Sequence, residues 1–280
     1  MIVNNTLSLG FSPCPNDTFI FYGLVHGKVG CDHLMFAEPL LEDVEQLNRW
    51  AVAGSLDVTK LSYHALAHVL DEYCLLRTGG ALGRGCGPLL VTRDVGKRGL
   101  SELKRIAIPG KLTTAALLLQ MFLPFSCELI EMRFDSIMAA VKSGEVDGGV
   151  IIHESRFTYE QEGLCCLQDL GEWWEETTGM PIPLGGIAAK RSLGYEKLKA
   201  IEKAIGASVE FAFRHPDDCL SYIQKHSQEL EKNVVESHIG LYVNDFSKDL
   251  GDEGKAAVEL FIEKGRSSGA LPEGDKDIFI

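Results

Sequence analysis

The feature that most constrains this chain is a change of rhythm near residue 190. Before it, short apolar runs alternate with segments of helical period. After it, only helical patterns remain. Alternation of this kind defines an α/β protein. Strands are expected at residues 7–11, 33–40, 58–62, 74–77, 89–92, 105–108, 128–134, 147–152, 164–170 and 184–189. Helices are expected at 19–25, 43–53, 63–70, 113–122 and 135–142, then at 195–213, 217–226, 234–242 and 254–264. Late helices with no new strands must pack on sheets already formed. That predicts a discontinuous first lobe, residues 1–90 plus 185–280, with residues 91–184 inserted as a second α/β lobe. Two crossings between lobes make a hinge, and a hinged cleft is a usual place for a small ligand.

Composition narrows the partners. The 280 residues carry a formal net charge of −13. Such a chain repels phosphate backbones, so nucleic acid and anionic membranes are not expected partners. A small anion is still allowed, because a few donors inside a cleft outweigh a diffuse surface charge. The first ten residues have no basic segment followed by a long apolar one, so no signal peptide is expected. No apolar run is long enough for a bilayer. The expected location is the cytoplasm. The eight cysteines are scattered, with no C-x-x-C, so no metal site is expected and they read as small buried hydrophobes, Cys165-Cys166 included. Neither G-x-G-x-x-G nor a Walker lysine motif is present, so no nucleotide cofactor is expected.

Four places carry candidate chemistry. Ser12-Pro13-Cys14-Pro15-Asn16-Asp17-Thr18 lies between a strand's carboxyl end and a helix, where ligands bind in open α/β sheets. The helix N-terminus there suits an anion. Plain capping by Asn16, Asp17 or Thr18 is the competing reading. Thr113-Thr114 occupies the equivalent turn of the second lobe, with the same two readings. Lys60-Leu61-Ser62 ends a strand, so Lys60 is a candidate anion partner and Ser62 a donor; the alternative is a solvated lysine. His153 follows the apolar run 148–152 and points toward the cleft as a candidate base, or else is a satisfied core histidine. The other seven histidines, at 26, 33, 64, 68, 215, 226 and 238, read as surface or cap residues. Trp173-Trp174 reads as packing rather than as a ring pocket. Arg84, in the glycine-rich 79–87 segment, is either a carboxylate clamp or a solvated side chain.

Several segments together resemble a known family. They are Gly10-Phe11-Ser12-Pro13-Cys14-Pro15-Asn16-Asp17-Thr18-Phe19, Thr59-Lys60-Leu61-Ser62-Tyr63, Gly79-Gly80-Ala81-Leu82-Gly83-Arg84-Gly85 and the run Ile151-Ile152-His153-Glu154-Ser155-Arg156-Phe157-Thr158-Tyr159. They are similar to the 1,4-dihydroxy-6-naphthoate synthases of the futalosine route to menaquinone. The resemblance covers nearly the whole chain, with Gly171 to Trp174 and Tyr242-Val243-Asn244 included. It implies a two-lobed, type II periplasmic-binding-protein-like fold with a hinged cleft. It implies a lyase that converts cyclic dehypoxanthine futalosine to 1,4-dihydroxy-6-naphthoate without a cofactor. It further implies His153 as general base, with substrate contacts at Lys60, Leu61, Ser62, Thr113, Thr114 and Ala115, and with Asn16 and Asp17 facing the same cleft. Two other readings stand beside it: the sister chorismate dehydratase, and a non-catalytic small-anion binding protein. The apolar tail Ile278-Phe279-Ile280 is a candidate homodimer contact, or else packs on its own lobe.

Overall fold

The structure, a computed structural model, describes residues 6–31, 33–93, 99–153, 155–227 and 232–280. The chain opens with β1 (Thr6–Leu7), β2 (Leu9–Phe11) and α1 (Pro15–Val25), then β3 (Met35–Phe36), β4 (Leu40–Leu41) and α2 (Val44–Val52). Next come β5 (Val58–Ser62), α3 (Tyr63–His68), β6 (Tyr73–Leu75), β7 (Ala81–Gly83) and β8 (Leu89–Thr92). The middle holds β9 (Arg105–Ile108), α4 (Thr114–Phe122), β10 (Glu128–Glu131), α5 (Ile137–Ser143), β11 (Gly148–Ile151), α6 (Ser155–Thr158), β12 (Cys165–Asp169) and α7 (Leu170–Thr178). The chain closes with β13 (Ile182–Lys190), α8 (Tyr195–Arg214), α9 (Pro216–His226), α10 (Lys232–Tyr242), α11 (Asp245–Lys248) and α12 (Gly251–Ser267).

Two sheets organise these elements. The first runs β4-β2-β5-β13-β6, with β7 also on β13. The second runs β10-β9-β11-β8-β12. In the first sheet β2 is parallel to β4 and β5, while β13 is antiparallel to β5, β6 and β7. In the second, β9 is parallel to β10 and β11, and β8 is antiparallel to β11 and β12. Parallel partners share a carboxyl end. The ends of β2 and β5 therefore lie side by side, and so do those of β9 and β11. Register places Gly185 of β13 opposite Ser62, so the start of β13 joins the same rim.

The expected single strand at 33–40 does not form. It is replaced by two short strands on different partners, β3 on β1 and β4 on β2. Met35 is 61% exposed and Leu40 49%, so this stretch lacks the burial that would hold one long strand. The expected strand at 128–134 stops at Glu131, and Phe134–Ser136 turns into a short 3-10 helix.

The late helices pack back as their pattern predicts. In α1, residues 15–24 are all buried, and a helix apolar on every side must be covered on every side. α8, α9 and α10 supply that cover. The largest apolar cluster joins both sheets, from Leu61 and Leu75 through Phe261 of α12 to Trp174, Ile106 and Val150. Trp174 meets Phe261 edge to face at 5.2 Å, which makes it a packing residue. The apolar tail packs on its own chain: Ile278 O accepts a hydrogen bond from Leu75 N, and Phe279 bridges to Leu75.

Candidate active site

The rim between the sheets frames a cavity of about 100 Å3 that opens to solvent on one side. Its apolar wall is Leu61, Ala81, Cys86, Pro88, Ala115, Ile152, Leu184 and Tyr242. Its polar groups are Ser12, Asn16, Asp17, Lys60, Ser62, Thr113, Thr114, His153 and His238. The cavity thus gathers Asn16, Asp17, Lys60, Leu61, Ser62, Thr113, Thr114, Ala115 and His153 from four separate stretches of chain.

The turn from β2 into α1 carries charge. Pro15 sits in the first turn of α1, where its missing N–H costs nothing. Cys14 is the capping residue but offers no side-chain cap, so none of the three expected candidates caps the helix. Asp17 turns back instead. Its Oδ2 accepts from Ser12 N at 3.2 Å and from Ser12 Oγ at 2.7 Å. Its Oδ1 accepts from Asn16 Nδ2 at 2.9 Å and from Lys60 Nζ at 2.9 Å. Lys60 also donates to Gly79 O at 3.0 Å. Asp17 is 2% exposed and Lys60 4%, so this is a buried ion pair. Such a pair persists because every charged atom finds partners. The alternative reading of a solvated lysine is therefore excluded: β5 is buried along its length and carries the side chain inward. Ser62 is held through Asn48 of α2. Ser62 N donates to Asn48 Oδ1 at 2.9 Å, and Asn48 Nδ2 donates to Ser62 Oγ at 3.2 Å.

The turn from β9 into α4 is polar but closed on itself. Thr113 is the N-cap: its Oγ1 accepts from Ala116 N at 3.2 Å and donates to Gly110 O at 2.8 Å. Thr114 Oγ1 donates to Leu184 O at 2.6 Å and accepts from Tyr63 N at 3.1 Å. Glu45 of α2 accepts from Leu112 N at 3.1 Å. A Cβ on Gly110 would meet the Glu45 carboxyl group, which would have to swing away to make room. Burial raises the Glu45 carboxyl above the ordinary range, against the lowering by Asn48 and Leu112.

His153 follows β11 and has φ 58°, the sole non-glycine residue with positive φ among those described. Side chains rarely adopt this region, and they cluster there at functional sites. Its ring lies 3.5 Å from Cys14 Sγ through Nδ1 and 5.0 Å from the Phe134 ring, edge to face. Cys14 was expected only as an apolar filler, so this contact is new. Together with Cys14, Val44 and Phe134, His153 also lines a second, more polar cavity that holds Asp43 and Arg133.

Two histidines expected as surface or cap residues are buried. His238 on α10 is fully buried, one turn before Tyr242, and lines the cavity. Burial first, and His153 second, push its imidazole down to about 3. His64, at the start of α3, donates through Nδ1 to Thr113 O at 3.1 Å, and burial pushes it down to about 4. Helical spacing would have placed His238 with Val235 and Tyr242 on one inner face; that was the overlooked signal. Other candidates stand outside the cavity. Arg84 is exposed and pairs with Glu253 and Glu175. Arg156 braces the glycine-rich segment through Gly85 O and Gly87 O and pairs with Asp169 at 2.6 Å. Trp173 packs on Phe122. Glu154 lies outside the described residues.

Two sheets facing across a mostly apolar cleft with a few convergent polar groups define a two-lobed α/β binding-protein-like scaffold. Solved structures agree. The alkanesulfonate-binding protein SsuA of Xanthomonas axonopodis pv. citri superposes with a TM-score of 0.70 at 14% identity, covering 96% of this chain and 95% of that one. A fungal protein described as having the generic periplasmic-binding-protein fold gives 0.69 at 14%, covering 96% and 92%. These likenesses speak for the fold alone. A structure from Archaeoglobus fulgidus gives 0.89 at 36%, covering 96% of this chain and all of that one. The model of the family described as menaquinone biosynthesis matches residues 7–267, and the chain belongs to that family. Among its relatives, a Thermus thermophilus protein is 49% identical over 278 residues, 98% of this chain and 99% of that one. A Streptomyces coelicolor protein is 45% identical over 276 residues, covering 96% and 95%. Both are named 1,4-dihydroxy-6-naphthoate synthase.

Proposed function

We propose that the protein is a lyase that converts cyclic dehypoxanthine futalosine to 1,4-dihydroxy-6-naphthoate, with His153 as general base, in the cytosolic futalosine route to menaquinone. The observation that carries the reading is His153 itself. It stands in left-handed backbone at the carboxyl end of β11, on the wall of a cavity that suits a flat, largely apolar body. The near full-length identity to two synthases supports the reaction class. In this reaction a proton leaves, bonds to a small sugar-derived fragment break, and the remaining ring becomes aromatic. Aromatisation supplies driving force, so a placed base and correct orientation suffice. His153 takes the proton. The hydroxyls of Ser12 and Ser62, with Asn16, orient polar groups of a small anionic substrate. The two lobes, residues 1–90 with 185–280 and residues 91–184, close over it and keep water from the intermediate.

The test is direct. The purified protein is incubated with cyclic dehypoxanthine futalosine, and 1,4-dihydroxy-6-naphthoate is sought by mass. Product is expected from the wild type. His153→Ala is expected to lower the rate on the order of 10^3-fold, with an unchanged unfolding midpoint. Consumption of chorismate in place of that substrate would overturn the assignment in favour of the sister dehydratase. A wild-type rate in His153→Ala would remove the base from its role.

A further inference from the structure

A directional chain of hydrogen bonds leads from the buried ion pair to a second histidine. Lys60 and Asn16 Nδ2 both donate to Asp17 Oδ1. A carboxylate accepts only, so the amide of Asn16 must turn its NH2 toward Asp17 and its oxygen away. That oxygen lies 3.2 Å from His238 Nε2. An amide oxygen also only accepts, so Nε2 must carry a proton. His238 is thereby fixed in its Nε2–H tautomer by residues more than two hundred positions away in sequence. Its ring lies nearly parallel to that of His153, 11° between planes and 6.1 Å between centroids, with Tyr242 against it at 4.7 Å.

We propose that His238 is a positioning residue for His153, a ring locked in one tautomer by Asn16 that seats the catalytic imidazole without competing for its proton. The inference rests on the assignment of His153 as the base. The surroundings of His238 explain why it does not compete. It is fully buried, and burial and the neighbouring His153 both disfavour its charged form. The groups around it are Asn16 from α1, with the Asp17–Lys60 pair behind it, His153, and Tyr242 on its own helix. Arg84, beyond β7, is turned to Glu175 and Glu253, and Glu236 on α10 is exposed. Two histidines thus stand in two environments, one committed by Asn16 and one at the boundary of two cavities. Separating two like groups by environment is how one site divides its acid–base roles.

The test has two arms, and the first needs no substrate. In wild-type protein with 15N-labelled histidine, the His238 ring is expected to stay neutral and Nε2-protonated from about pH 8 to about pH 5. A ring that titrates in that window, or is protonated at Nδ1, overturns the proposal. In the second arm, His238→Leu is expected to lower kcat roughly tenfold to a hundredfold, with KM within about threefold. His238→Gln keeps a donor near the place of Nε2 and is expected to recover to within about fivefold of wild type. A wild-type kcat in His238→Leu, or a loss in Gln as deep as in Leu, overturns it. If the Leu variant does not fold, the Gln variant and the wild-type spectrum decide. If wild-type protein makes no product at all, the function reading fails instead, and the spectrum still reports the tautomer.

Discussion

The two strand-to-helix turns that face the cavity look alike in sequence and differ in physics. Each follows the carboxyl end of a parallel strand and each opens a helix with hydroxyl side chains. The turn into α1 holds a buried ion pair and passes its polarity through Asn16 to His238. The turn into α4 spends its two hydroxyls on Gly110, Ala116, Leu184 and Tyr63. One turn is an electrostatic device. The other is a clasp that ties α4 to α3 and β13. Equivalent topology therefore does not give equivalent chemistry; the difference arises from which elements lean on each turn.

The contrast can be broken most severely at Lys60. Lys60→Met leaves Asp17 buried without its cation and is expected to cost about 3–5 kcal/mol in urea unfolding. The double change Lys60→Met with Asp17→Asn should regain much of that loss, because no bare charge remains. Equal losses in the single and double variants would refute the ion-pair account.

Acid should act next, through the histidines beside the two turns. Both His64 and His238 have folded values, about 4 and about 3, below the ordinary 6.5. The unfolded chain therefore takes up protons first as pH falls, and stability drops. The stabilisation is complete above about pH 6.5 and is lost progressively toward the folded values. For His64 alone the loss at pH 4 is on the order of 3 kcal/mol. His64→Gln should flatten the slope of unfolding free energy between those limits; an unchanged slope would deny His64 its part.

Smaller effects are expected on the clasp. Thr114→Val removes two hydrogen bonds at nearly constant shape and should cost about 1–3 kcal/mol, with no new pH dependence. Thr113→Ala removes only the cap and should cost about 1 kcal/mol. If either change altered the pH dependence of turnover as strongly as a change at Asn16, the two turns would be alike after all.

Much of this was legible in the chain. The strands at Val58–Ser62, Leu89–Thr92 and Arg105–Ile108 fall where the sequence predicts them, because most of their residues are buried in a sheet interior. The segment at 33–40 does not form one strand, because its consecutive apolar residues include none that is buried, so no face selects a single long strand. Glu45 and Asn48 gave no signal: polar residues on an amphipathic helix normally face water, and here α2 turns Asn48 onto the end of β5 and Glu45 onto the turn before α4.

What the sequence determined by itself is the placing of chemistry at strand ends. A short apolar run followed by a helix start fixes where Asp17, Ser62, Thr113 and His153 emerge, since those signals are local. What only the tertiary structure decided is the state of each group. That Lys60 is committed to Asp17, that His238 is neutral and holds one tautomer, and that Thr114 serves as a clasp depend on partners 43, 222 and 70 positions away, counted from Asp17 to Lys60, Asn16 to His238 and Thr114 to Leu184. Charge and tautomer follow burial and contact, and both are properties of the assembled core.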